Sequence, residues 1–306
     1  PYIANLITTE SLEWSNGPEQ GPQVARLAFG CLRPYGGTAV MAVPGDGVTR
    51  FIEEATRMKL HGADTSIVDG LAVIRRQGAL PGSANWTHEY GDPSNSLMSQ
   101  DQLVKAPLGV LWFGGPASDG SLFYNRHFWG PSMAVIDGRM ILQGPGKLSA
   151  VDVYTGRVLW EASMPKVGQA FNFTGHQPGA NATGSNYVSI HDAIYVAYGS
   201  RTIKLDPATG NVLDEFPLPD LGETGPPKWG HIAVEGDLLI GGAQSEAYEK
   251  KRIGGYTHDG TTSQHLVVMD RHNGKVLWTR EAHFAFRHNA IVAADGLLFA
   301  IDRLPD

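Results

Sequence analysis

The chain has 306 residues, 42% of them hydrophobic and 9% aromatic, which supplies packed cores and excludes a mainly disordered polymer. A formal charge of −7 at pH 7 excludes a general nucleic-acid binder. Only 18% of residues are charged while 38 are Gly and 19 Pro, a turn-rich composition that points to β structure. The single Cys31 excludes an internal disulfide, and no apolar run is long enough for a membrane span.

From the N-terminus, "YIANLIT" reads as a buried strand and "PQVARLAFGCLRP" as an amphipathic helix. "GGTAVMAVP" reads as a strand, "GVTRFIEEATRMKLHG" as a second helix and "SIVDGLAVIRRQG" as a closing strand. This alternation predicts a small α/β layer with parallel pairing over residues 1–77. The junction "CLRPYGGTAVMAV" resembles the helix-to-strand turn in the second half of S-adenosylmethionine-dependent methyltransferases. That fold holds its cofactor with a glycine-rich first turn and an acidic residue on the ribose, both in its first half. Neither lies in this sequence, so the resemblance implies a half-Rossmann-like segment. Methyl transfer would need sequence outside the chain.

Residues 78–116 form a turn-rich linker that nevertheless holds Trp86, His88, Tyr90, Trp112 and Phe113. Aromatics among Pro, Gly and Asn predict an ordered strap packed across the following domain rather than a free tether. His88 and Asn95 either reach a site there or serve in packing.

From residue 117 to 306 one hairpin is written three times: "AVDVYTGRVLWEA" from Ala150, "IKLDPATGNVLDEF" from Ile203 and "VVMDRHNGKVLWTR" from Val267. Asp152, Asp206 and Asp270 open the turns, where a carboxylate accepts the turn's own N–H groups. Gly156, Gly210 and Gly274 follow at a fixed offset that calls for a positive φ and a bulged hairpin. Trp160 and Trp278 close two copies; the middle copy has Asp214 in that slot, with Phe216 two residues on and on the same strand face. Two further apolar strands joined by a tight turn precede each copy, and a fourth unit begins at "NAIVAADGLLFAID".

The aliphatic strand followed by Asp-x-x-Thr-Gly-x-Val-Leu-Trp resembles the tryptophan-docking motif of quinoprotein-like (pyrroloquinoline-quinone-like) propellers. Together with "NWTHEYGDPSN" and "LWFGGP", the chain is similar to large multidomain bacterial proteins typical of planctomycetes. The resemblance implies a mainly β chain holding a partial β-propeller of four-stranded antiparallel blades, about three blades and the start of a fourth. It assigns Trp160, Trp278, Gly156, Gly210 and Gly274 structural roles and implies a periplasmic or extracytoplasmic setting. Four blade starts do not close a ring, so assembly with more of a longer chain, or with further copies, is expected.

Propellers bind ligands at the central channel, where the innermost strands begin. The unit starts place Arg126 and His127, then Ser185 and Asn186, then Trp229 and His231, and last Arg287, His288 and Asn289 near that entry. His176 and Asn181 lie in a glycine-rich insertion that either closes over a ligand or covers the blade. Such a set suits an anion, a metal or a sugar, with His127, His231 and His288 as candidate metal ligands, or else forms a solvated rim. Quinone dehydrogenases would require vicinal cysteines, a carboxylate and calcium, and Cys31 stands alone outside the repeats. The expectation is therefore a non-catalytic binding or scaffold propeller without cofactor, recruiting a protein or carbohydrate partner. The alternative is an oxidoreductase using Ca2+ or pyrroloquinoline quinone on an alcohol or sugar at the propeller mouth.

Overall fold

The computed structural model of the chain describes residues 1–12, 20–45, 47–114, 122, 133–144, 146–165, 167, 187–222, 225–245 and 262–303. The chain forms two compact units, one of Pro1–Ala84, Asp101–Phe113 and Val153–Gly156, the other of Asn85–Gln100, Gly114–Asp152 and Arg157–Asp306.

In the first unit, β1 (Leu6–Thr9), α1 (Gln20–Cys31), β2 (Thr38–Met41), α2 (Gly47–Arg57), β3 (Ala63–Val68) and β4 (Leu71–Arg76) follow in order. The sheet runs β1-β2-β4-β3. Only β1 and β2 pair in parallel; β2–β4 and β3–β4 are antiparallel. The expectation of parallel pairing throughout is thus corrected. "SIVDGLAVIRRQG" is a hairpin, because Asp69 and Gly70 both take positive φ (51° and 77°), the geometry of a two-residue primed turn. Nor is "YIANLIT" buried: β1 is an edge strand with Leu6 61% exposed. Phe29 of α1 and Phe51 of α2 pack with Met41 and Ile74 of the sheet to make the core.

The second unit opens with β5 (Ala134–Ile136), β6 (Arg139–Gly144), β7 (Lys147–Asp152) and β8 (Val158–Ser163). Next come β9 (Tyr187–Ser189), β10 (Ile194–Tyr198), β11 (Arg201–Leu205) and β12 (Val212–Pro217). The third set is β13 (Pro227–Glu235), β14 (Leu238–Ser245), β15 (Thr262–Asp270) and β16 (Val276–Arg287), followed by β17 (Val292–Ala294) and β18 (Leu297–Phe299). Each set of four is an antiparallel meander with strands in chain order, and β17–β18 is an antiparallel pair. The fold is mainly β, with four-stranded blades in one unit and a small α/β sheet in the other. The first strands converge, β9 lying against both β5 and β13.

The repeated hairpins explain how neighbouring sheets lock. Each has a bulge at the same offset before its turn, at Ala150/Val151, Lys204/Leu205 and Val268/Met269. Gly156, Gly210 and Gly274 share a φ of 71°, 73° and 72°. A Cβ on Gly210 would lie 2.5 Å from Trp160 Cε3, so the indole of the first sheet rests directly on the second sheet's turn. Trp160 Nε1 donates to the Pro207 carbonyl at 3.1 Å, one residue after the turn aspartate. Trp112 makes the same two contacts within the first unit: its ring lies on Gly156, and Nε1 donates to the Val153 carbonyl at 2.9 Å.

The third turn divides this work between two side chains. Phe216 packs on Gly274, where a Cβ would meet its Cδ1 at 2.4 Å. The carbonyl after the turn aspartate, that of Arg271, accepts instead from the Tyr195 hydroxyl at 3.0 Å. A phenyl ring stacks but cannot donate, so a phenol supplies the missing hydrogen bond. Trp160 is 9% exposed; Trp278, at the equivalent place on β16, is 44% exposed.

Candidate functional site

A strap and a polar cluster meet on the first strands. Trp86 exchanges backbone hydrogen bonds with Val135 of β5 at 2.8 and 2.7 Å. Ser189 N at the end of β9 donates to the Thr87 carbonyl at 3.0 Å. Val234 N of β13 donates to His88 Nε2 at 3.0 Å, and Ala293 N of β17 donates to the Pro93 carbonyl at 2.8 Å. Asn95 Nδ2 donates to the Asn289 carbonyl at 3.1 Å. Successive strap residues therefore take the first strand of each sheet in chain order. These are strand-edge groups that would otherwise lack partners.

His88 is fixed in one tautomer by this arrangement. Its Nε2 accepts from Val234, so in the neutral ring Nδ1 carries the proton and donates to Thr87 Oγ1 at 2.7 Å. Burial pulls its pKa down to about 4, and the ring is uncharged at neutral pH. The Tyr187 hydroxyl accepts from Ala134 N at 3.2 Å and donates to the Ile141 carbonyl at 2.9 Å, and burial pushes its pKa up.

The cluster sits where the regular ladder of the third sheet breaks. Gly230 is an extra residue between Trp229 and His231 on β13, and the β15–β16 register shifts between Ser263 and His265, with the surplus residues on β16. On β16 the pairing jumps from Glu281 to Phe286 opposite them. Bulges of this kind re-aim side chains and occur beside active sites. His288 is fully buried, and its Nε2 lies 2.7 Å from Ser263 Oγ, which donates to Gln244 Oε1 at 3.4 Å. The tautomer of His288 sets which of the two atoms donates in the 2.7 Å bond to Ser263. The close fit requires Gly230 and Gly242: a Cβ on the first would lie 2.7 Å from His288 Cε1, and on the second 2.6 Å from Ser263 Oγ.

His231 stacks beside His288, ring centres 5.9 Å apart. It is 3% exposed, yet among the described residues neither ring nitrogen has a hydrogen-bond partner, and neither has Trp229 Nε1. Buried polar atoms left unpaired cost about 1–3 kcal/mol each. Burial, with the rings of His288 and His88 adding to it, holds His231 well below the usual imidazole pKa. The cluster thus offers an uncharged donor and an uncharged acceptor. It suits a neutral hydrogen-bonding group.

Of the residues singled out in the sequence, the fold brings Trp229, His231 and His288 to one sheet end. Arg287 and Asn289 flank His288 and are tied by their backbones, Arg287 N to the Ile301 carbonyl at 3.1 Å and Asn289 through Asn95. Arg126, His127, His176 and Asn186 lie outside the described residues, as do Asn181 and Ser185. The His127–His231–His288 trio is therefore seen as a pair. Among the described residues no three His, Cys, Asp or Glu side chains are grouped to hold a metal.

Sequence reasoning missed Ser263 and Gln244, and it named Trp112 as a packed strap residue without its seat on the Gly156 turn. For Trp112 the signal was present, since Val110-Leu111-Trp112 repeats Val158-Leu159-Trp160 without a turn before it. For Ser263 the polar run Thr262-Ser263-Gln264-His265 opening an apolar strand was the available cue.

No protein-family model matches the chain, and no curated protein does. Among solved structures, a europium-containing methanol dehydrogenase is similar at 13% identity and a TM-score of 0.42, over 66% of this chain and 32% of its own. A quinohemoprotein alcohol dehydrogenase from Comamonas testosteroni is similar at 16% identity and a TM-score of 0.40, over 65% of this chain and 27% of its own. BamB from Moraxella catarrhalis is similar at 15% identity and a TM-score of 0.33, over 53% of this chain and 43% of its own. The chain spans less than half the length of each. At these scores the blades are assigned by strand pairing and turn docking, not by likeness.

Proposed function

We propose that this chain is a non-catalytic binding propeller of the quinoprotein-like group that recruits a protein or carbohydrate partner. The observation that carries this reading is the strap. Along the first strands, where a propeller offers its axial ligand site, hydrogen-bonding positions are taken by the chain's own backbone and by the buried neutral imidazole of His88. Those strands are tied into a framework, which favours rigid presentation over cofactor capture. The uncharged His231 matches a peptide amide or a sugar hydroxyl, each of which needs a donor and an acceptor together.

A second reading, an oxidoreductase acting at the same end of the blades, draws on one observation. Beside the hydrogen-bonded pair His288 and Ser263, the two ring nitrogens of buried His231 have no partner among the described residues, and such atoms collect where chemistry is done. One experiment separates the two. The purified chain is expected to show no quinone absorbance and no gain in melting temperature when calcium and pyrroloquinoline quinone are added together. A clear rise in melting temperature, or dye reduction on adding an alcohol or sugar, would overturn the binding reading in favour of the second.

A further inference from the structure

We propose that Asn273–Gly274 is a latent deamidation site, held shut by the docking of Phe216 on the third hairpin turn. Thr155 and Thr209 precede the docking glycine in the other two turns; only the third has Asn. An Asn followed by Gly is the pair in which the next backbone nitrogen reaches the side-chain carbonyl carbon most easily, because no Cβ obstructs it. In that reaction Gly274 N loses its proton and attacks Asn273 Cγ. The Cγ–Nδ2 bond breaks and ammonia leaves, giving a succinimide. Water then adds across the ring and opens it to aspartate or to isoaspartate, which carries one extra main-chain methylene. Water is the only co-reactant.

Asn273 is exposed, so water reaches it. The folded turn nonetheless opposes every step. Gly274 N donates to the Asp270 carbonyl at 2.8 Å and is not free to attack. Asn273 Nδ2 donates to Asp270 Oδ2 at 3.0 Å, and Asn273 Oδ1 accepts from Lys275 N at 2.9 Å, so the side chain is held at both ends. Phe216 presses on Gly274 from the second sheet and holds the turn closed. Attack therefore waits on local opening of the turn, and its rate follows the open fraction.

The product would make that opening permanent. An isoaspartate moves Gly274 by the length of one added bond in a contact with no spare space, and it puts a second carboxylate beside Asp270. The two-sheet interface that Tyr195 and Phe216 already divide between them would then not close again.

The test follows deamidation of the peptide bearing Asn273 by mass spectrometry, with the full chain held at mildly alkaline pH. Wild type is expected to deamidate slowly and Phe216→Ala several-fold faster; Asn273→Thr should show no mass gain at this peptide. Equal rates in wild type and Phe216→Ala would overturn the proposal. Should Phe216→Ala fail to fold, wild type in graded urea below its unfolding midpoint decides. A rate that climbs with urea ahead of global unfolding supports gating, and one that stays flat until the chain unfolds refutes it.

Discussion

Replacing Gly210 with alanine tests the docking of one blade on the next. The residue sits at a φ of 73°, where an alanine loses about 1–2 kcal/mol of backbone preference. Its new Cβ would fall 2.5 Å from Trp160 Cε3 and 2.7 Å from Cδ2, inside contact distance of a ring that is hydrogen-bonded to Pro207 and cannot swing away cheaply. Overpacking of that sort costs about 1–3 kcal/mol, so Gly210→Ala should lose roughly 3 kcal/mol in all. Gly199 is the control: its φ is 64° but nothing lies within 4 Å of an added Cβ, so Gly199→Ala should lose only the backbone share, about 1 kcal/mol. Urea unfolding of Gly210→Ala, Trp160→Ala and the double variant closes the cycle. With the indole gone, Gly210→Ala should fall to the Gly199→Ala value, a coupling of about 2 kcal/mol. Additive losses would refute the docking account.

Other substitutions bear on the remaining contacts. Phe216→Ala should lose about 3–5 kcal/mol in urea, as for a buried aromatic ring, and Tyr195→Phe about 1–2 kcal/mol, for the bond donated to the Arg271 carbonyl and the weaker one accepted from Arg271 Nη1. His231→Phe should raise the melting temperature, since it removes two buried unpaired nitrogens; a marked fall would mean that those atoms have partners in the folded protein. The folded pKa of His88, about 4, lies below its unfolded value, so its contribution to stability is full above about pH 6.5 and declines as pH falls toward 4. The loss is about 3 kcal/mol, and His231 acts in the same direction. His88→Gln should flatten that slope in urea titrations between pH 7 and pH 4, and an unchanged slope would contradict the buried neutral imidazole.

Repeated chemistry was legible and singular geometry was not. The Asp-x-x-x-Gly turns announced bulged hairpins, because a left-handed glycine and a self-capping aspartate are local demands that any window of sequence displays. The Phe216 substitution was legible for the same reason: strand periodicity puts it on the face that Asp214 vacates. Tyr195 was not, since its hydroxyl meets Arg271 across two sheets and no short stretch encodes that distance. The α/β unit was read correctly in its helices and wrongly in the burial of its first strand and in its last strand. An apolar run broken by Asp69-Gly70 carries the hairpin signal, but helix–strand alternation outweighed it. His231 and His288 were named from their places at strand starts, whereas Ser263 joins them only because two ladder irregularities coincide.

The tie between the strap and the first strands is tested most directly by amide hydrogen exchange at Ser189, Val234 and Ala293, which donate respectively to Thr87, His88 and Pro93. All three amides should be strongly protected in the native chain, and His88→Ala should release Val234 while leaving the amides of β11 slow. Exchange of these three amides at unfolded-chain rates in the native protein would show the strap unbound and contradict the account.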